Sequence, residues 1–184
     1  SYLRTAQDPL HAVQAMTQCT PGQARETRHI LETEAIALAA LRRTDTDLQR
    51  LREALKGSAG HFHGDVDAYV ACDLVFHQRL VDAAHNPALS ELYRYFSGVV
   101  AALLHHHMAT VPRCQSTFDL HRQILDAIEQ RDAQRAKRLS RTLNHSLYAQ
   151  PLSHSTPRPY PPVSAAPPQL LLGAYSDVPP RQPP

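Results

Sequence analysis

Residues 65–86, DVDAYVACDLVFHQRLVDAAHN, constrain the fold of this chain more than any other stretch. Val66, Tyr69, Val70, Asp73, His77, Leu80, Val81 and Ala84 recur at steps of three and four, the spacing of one face of an α-helix. Two polar residues interrupt that apolar stripe. Asp73 and His77 are four apart, so their side chains stack on adjacent turns within reach of a common partner. A carboxylate and an imidazole turned toward a helical core are costly unless something satisfies them. A divalent metal is one such partner, and a buried Asp–His hydrogen bond is the other.

The same period recurs on both sides of this helix. Thr20-Pro21-Gly22-Gln23 combines a cap, a proline at the first helical position and a glutamine placed to close a capping box. The helix it opens runs to about Arg43, with Arg28, Leu31, Ala35, Leu38 and Ala39 on its inner stripe. Arg28 is therefore an inward-leaning cation, or one whose stem lies along apolar surface while its head reaches water. Thr44 caps the next helix, with Asp45 and Asp47 in its first turn and Leu48, Leu51 and Leu55 as its spine. It is expected to end near Gly57, leaving 58–64 as a loop with His61 and His63 solvated.

Asn86-Pro87 is a second cap-and-proline start, for a helix to about Met108 with Leu89, Leu92, Phe96, Val99, Leu103 and His107 in phase. The run His105-His106-His107 points in three directions around such a helix and reads as a polar helix end. A further helix over roughly 117–130 places His121 on one stripe with Ile124, Leu125 and Ile128. Asp132 caps the last, Ala133 to about Ala149, with Ala136, Leu139, Leu143 and Leu147 inward and His145 on the opposite, polar face. A short helical pattern also lies at about Pro9–Thr17.

Residues 151–184 hold 11 of the 15 prolines and show almost no periodicity, so they form a Pro-rich tail without a core of its own. Its apolar cluster, Leu170-Leu171-Leu172 with Tyr175, could dock on a neighbouring surface. The expected fold is all-α, an antiparallel bundle of six or seven helices with a Pro-rich C-terminal tail. The expected organisation is a connector and short helix over 1–19, a helical bundle over 20–149 and the tail over 150–184. The formal net charge of +2 does not suggest a nucleic-acid surface. No apolar run is long enough for a membrane span. Cys19, Cys72 and Cys114 have no metal-like spacing and read as thiols of a reducing compartment, so a cytoplasmic location is expected.

Three segments in order carry a family resemblance: RHILETEAIALAALRR, DLVFHQRLVDAAHNPAL and LHRQILDAIEQRDAQRAKRL. Together, over about residues 9–148, the chain resembles the C-terminal ligand-sensing (FCD) domain of the FadR subgroup of GntR-type transcription regulators. The resemblance implies an all-helical effector-binding and dimerisation domain, with no catalysis. It also implies a divalent metal held by one Asp and three His, completed by a small carboxylate metabolite. Carried over, the ligands are Asp73, His77 and His121, the metal Zn²⁺, Ni²⁺ or Mn²⁺, and the second grip on the acid Arg28. The family's fourth-ligand position falls on Leu143. His145 is two residues on, about 200° around the helix. Three protein ligands, a local distortion that recruits His145, or loss of the metal all follow from that departure, and three ligands is the reading adopted. The resemblance also places a winged helix-turn-helix domain before this one. That domain is not in this chain, so DNA is expected as a partner only through it, and a homodimer is expected. Two other readings compete: a metal-free helical dimerisation module, and a metalloenzyme with a 2-His-1-carboxylate site.

Overall fold

The computed structural model describes residues 18–110 and 115–148, apart from the side chains of Pro21, 99–110 and 145–148. Within them the chain forms α1 (Pro21–Arg42), α2 (Asp45–His61), α3 (Val66–Asp82), α4 (Pro87–Thr110), α5 (Gln115–Glu129) and α6 (Ala133–Tyr148). The described residues contain no strand. The expected all-α bundle is what they form. The short helix at Pro9–Thr17, Pro112, Cys114, the tail with Leu170–Leu172, and the side chains of Val99, Leu103, His105, His106, His107, His145 and Leu147 lie outside the described residues.

Among the described residues, five of the six helices, all but α5, begin where a side chain supplies an acceptor for unpaired N–H groups. Thr20 Oγ1 accepts from Gln23 N at 3.2 Å while Gln23 Oε1 accepts from Thr20 N at 2.9 Å, a closed capping box. Thr44 and Asp47 repeat the arrangement at 3.2 and 2.8 Å. Asp65 Oδ1 takes the N–H of Asp67 at 2.8 Å, Asn86 Oδ1 that of Leu89 at 3.3 Å, and Asp132 Oδ1 that of Arg135 at 2.8 Å.

α1 is the central helix, packed against α3, α4, α5 and α6, while α2 lies on α3 and α5. The main core gathers Ile36, Leu51, Phe76, Leu80, Ile124 and Ile128. Ala24, Val70, Leu74 and Phe96 form a second cluster, and Ala35, Val81, Ala84 and Tyr93 a third. At the far end two arginines cross between helix termini. Arg43 Nη2 donates to the Glu129 carbonyl at 2.7 Å, and Arg131 donates to the carbonyls of Leu41 at 3.1 Å and Arg43 at 3.2 Å. Each guanidinium thereby meets carbonyls left unpaired at a helix C-terminus.

Two expectations need correction. α2 does not stop near Gly57 but continues to His61. Gly57 is a point of close approach, since a Cβ there would lie 3.3 Å from Cys72 Sγ on α3. The extra turn carries Phe62 into contact with the rings of Tyr69 and Phe118 at 5.9 and 5.8 Å, and that packing holds the helix past its glycine. His61 and His63 are both exposed, as expected. On α4 Phe96 is buried as expected, but Tyr93 rather than Leu92 turns inward. Leu92 is 48% exposed and Tyr93 is 1% exposed.

Candidate metal centre

Asp73 and His77 sit one turn apart on α3, and His121 faces them from α5; all three are buried. Burial leaves them to satisfy one another or a shared ligand. His77 Nε2 lies 3.2 Å from His121 Nε2 and 3.7 Å from Asp73 Oδ2. One donor atom from each of the three residues lies within 4.8 Å of the others. Two nitrogens about 2.1 Å from one ion, about 100° apart, are about 3.2 Å from each other, so the histidine spacing suits a shared ion. Nitrogen and oxygen donors in this number suit a first-row divalent metal with positions to spare. The Phe76 ring walls the pair, 5.7 Å from His77 and 5.3 Å from His121.

Arg28 is inward rather than laid out toward water, because its side chain finds two buried carboxylates. Its Nε donates to Glu32 Oε1 at 2.6 Å and its Nη2 is 3.6 Å from Asp73 Oδ2. That Nη2 has no hydrogen-bond partner among the described residues, which leaves a buried donor directed into the centre. Burial alone would lower the Arg28 pKa, but Glu32, Tyr93 and Asp73 raise it well above its ordinary value.

Glu32, to which the sequence analysis assigns no place at the site, is buried beside these donors. Its Oε1 receives Arg28 Nε and the Tyr93 hydroxyl, and lies 3.0 Å from His77 Nδ1. The imidazole is within hydrogen-bond distance, although its approach is out of line for a hydrogen bond. Burial would raise the Glu32 carboxyl, yet Arg28 and then His77 hold it well below the usual carboxylate range. Burial does raise the Tyr93 phenol well above its ordinary value, and Glu32 adds to this against Arg28. His121 is pushed down to about 4, first by burial and then by its neighbour His77, so it is neutral at pH 7 and able to ligate. Leu143, on which the resemblance places the family's fourth ligand, is 3% exposed in the main core. The His145 side chain lies outside the described residues.

The FCD domain profile matches residues 23–145. The chain belongs to the FCD domain family. FCD domains are the ligand-sensing domains of GntR-family transcription regulators, which bears out the resemblance carried by the three motifs. Among relatives, the HTH-type transcriptional regulator LutR of Bacillus subtilis (strain 168) is 34% identical over 98 residues, 53% of this chain and 44% of LutR. The galactonate operon transcriptional repressor of Escherichia coli (strain K12) is 26% identical over 119 residues, 64% of this chain and 52% of the repressor. The chain spans about half the length of the curated relatives it matches. Among solved structures, E. coli McbR/YncC shares the fold with a TM-score of 0.61 at 19% identity, over 70% of this chain and 62% of that one. Both curated relatives carry the names of transcription regulators, in agreement with the expectation that this FCD domain is not an enzyme. FCD domains are often metal-associated, and Asp73, His77 and His121 form a possible site for one here. No described helix is long and apolar enough to cross a membrane.

Proposed function

We propose that this FCD domain senses a small organic acid through a divalent metal held by Asp73, His77 and His121, with Arg28 as the second grip on the acid. The observation that carries this reading is the buried Arg28 Nη2, which has no hydrogen-bond partner among the described residues, beside three convergent donors. A carboxylate accepts hydrogen bonds through two oxygens and can be shared between a guanidinium and an ion. The metal, Zn²⁺, Ni²⁺ or Mn²⁺, supplies a Lewis-acidic seat for one oxygen of the acid. The protein supplies orientation, exclusion of water and a fixed positive charge. Binding couples to the rest of a cytoplasmic, homodimeric regulator, whose DNA contacts belong to a winged helix-turn-helix domain outside this chain.

Metal analysis after dialysis tests the reading. His77→Ala and His121→Ala should each abolish retention of Zn²⁺, Ni²⁺ and Mn²⁺, whereas His145→Ala should leave it unchanged. Unaltered metal content in His121→Ala would remove the site. A second reading, a metal-free dimerisation module, draws support from the 3.2 Å His77–His121 contact, in which one imidazole can donate to the other with no ion between them. A parent chain that takes up none of the three metals at neutral pH would favour it.

A further inference from the structure

The Glu32 carboxylate does more than neutralise a buried arginine. One oxygen, Oε1, meets the Arg28 guanidinium at 2.6 Å and the His77 ring at 3.0 Å, and receives the Tyr93 hydroxyl. The residue is 2% exposed, so water does not compete for that oxygen. A neutral imidazole carries one N–H and one bare nitrogen, and an ionised carboxylate can only accept. A carboxylate beside Nδ1 therefore selects the form with the proton on Nδ1. The bare Nε2 is then the atom facing Asp73 and His121. His77 Nδ1 makes no hydrogen bond in this geometry, but the torsion that turns a histidine ring is broad and soft, so the ring can turn into line with Glu32 Oε1 at 3.0 Å.

We propose that Glu32 is the positioning residue of the centre, fixing His77 with its Nδ1 proton toward Glu32 and its Nε2 lone pair toward Asp73 and His121 while holding Arg28 beside them. This rests on the reading of the centre as a metal site. Metal and acid are then gripped through one shared carboxylate, from α3 through His77 and from α1 through Arg28. Tyr93 ties α4 to the same oxygen. Partners of this kind orient ligating histidines, and their loss typically weakens metal affinity about 10–100-fold.

The test uses the parent chain and Glu32→Gln, with Zn²⁺ alone as the probe, titrated in competition with a chromophoric chelator. The expected result is a Zn²⁺ dissociation constant about 10–100-fold weaker in Glu32→Gln. A folded Glu32→Gln with the parent's Zn²⁺ affinity would overturn the proposal. Nitrogen-15 NMR of the His77 ring in the parent chain gives an independent readout, in case the variant does not fold. Measured where the ring is neutral, the proton is expected on Nδ1 and the lone pair on Nε2, with and without Zn²⁺. A proton on Nε2 in the metal-free chain overturns the positioning role. Failure of the parent to bind Zn²⁺ would sink the metal-site reading instead, and the metal-free ring spectrum would still decide what Glu32 does.

Discussion

Acidification should destabilise the metal-free domain well above the range where carboxylates titrate, and His121 is the reason. Its imidazole is 3% exposed and pushed down to about 4, by burial and by His77, from an unfolded value near 6.5. A histidine with a lowered folded pKa is protonated more readily in the unfolded chain, so stability falls as pH drops below about 6.5 and the loss levels off near 4. At 1.36 kcal/mol per pH unit the gap amounts to about 3 kcal/mol in all, of which about 2 kcal/mol is lost between pH 7 and pH 5. Glu32 works in a lower window, because a carboxylate with a depressed pKa contributes stability that is lost only as pH falls below its ordinary range. Urea unfolding in the presence of a chelator, at pH 7 and pH 5, reads the difference as a drop of about 1 M in midpoint. His121→Gln removes the titration and should show a distinctly smaller drop. Equal drops in the parent and the variant would refute the assignment to His121.

The packing sets the outcome of four further substitutions. Arg28→Met should destabilise by about 3–5 kcal/mol in urea unfolding, because it leaves two buried carboxylates without their cation, while Tyr93→Phe, losing one hydrogen bond to a charged group, should cost about 1–3 kcal/mol. Near the end of α2, Gly60→Ala meets nothing within 4 Å and should stabilise by about 0.5–1 kcal/mol, whereas Gly57→Ala should gain less, because its Cβ would meet Cys72 Sγ at 3.3 Å; thermal unfolding ranks the pair.

Most of the bundle is legible because its signals are local. Thr20, Thr44, Asn86 and Asp132 announce helix starts through short-range chemistry, and the stripes of α3, α5 and α6 place Asp73, His77, His121 and Leu143 inward. What stays hidden depends on contacts between distant residues. Arg28 and Glu32 are four apart on α1, a spacing that also describes an ordinary surface ion pair. Only the approach of Tyr93, 61 residues away, and of His77 turns Glu32 into a hub. The choice between Leu92 and Tyr93 on α4 is a rotation of about 100°, which adjacent apolar residues do not resolve. Gly57 carries the composition of a helix end but the geometry of a helix crossing, and nothing in its neighbours' identities separates the two.

The crossed arginines at the ends of α1 and α5 have a mechanical consequence for the centre. Arg43 and Arg131 pin the two termini together, so α5 cannot slide along α1 without breaking three hydrogen bonds. His121 stands eight residues before Glu129, about 12 Å along the helix from that pin. Freedom left to α5 is therefore angular, and a swing of about 5° about the pinned end carries a point about 12 Å away through about 1 Å. The histidine nitrogens are already 3.2 Å apart, so a swing of that size is enough to adjust His121 against Asp73 around one ion. The same lever works outward: a ligand that draws His121 toward Asp73 tips the whole of α5, and with it α6 packed along its side.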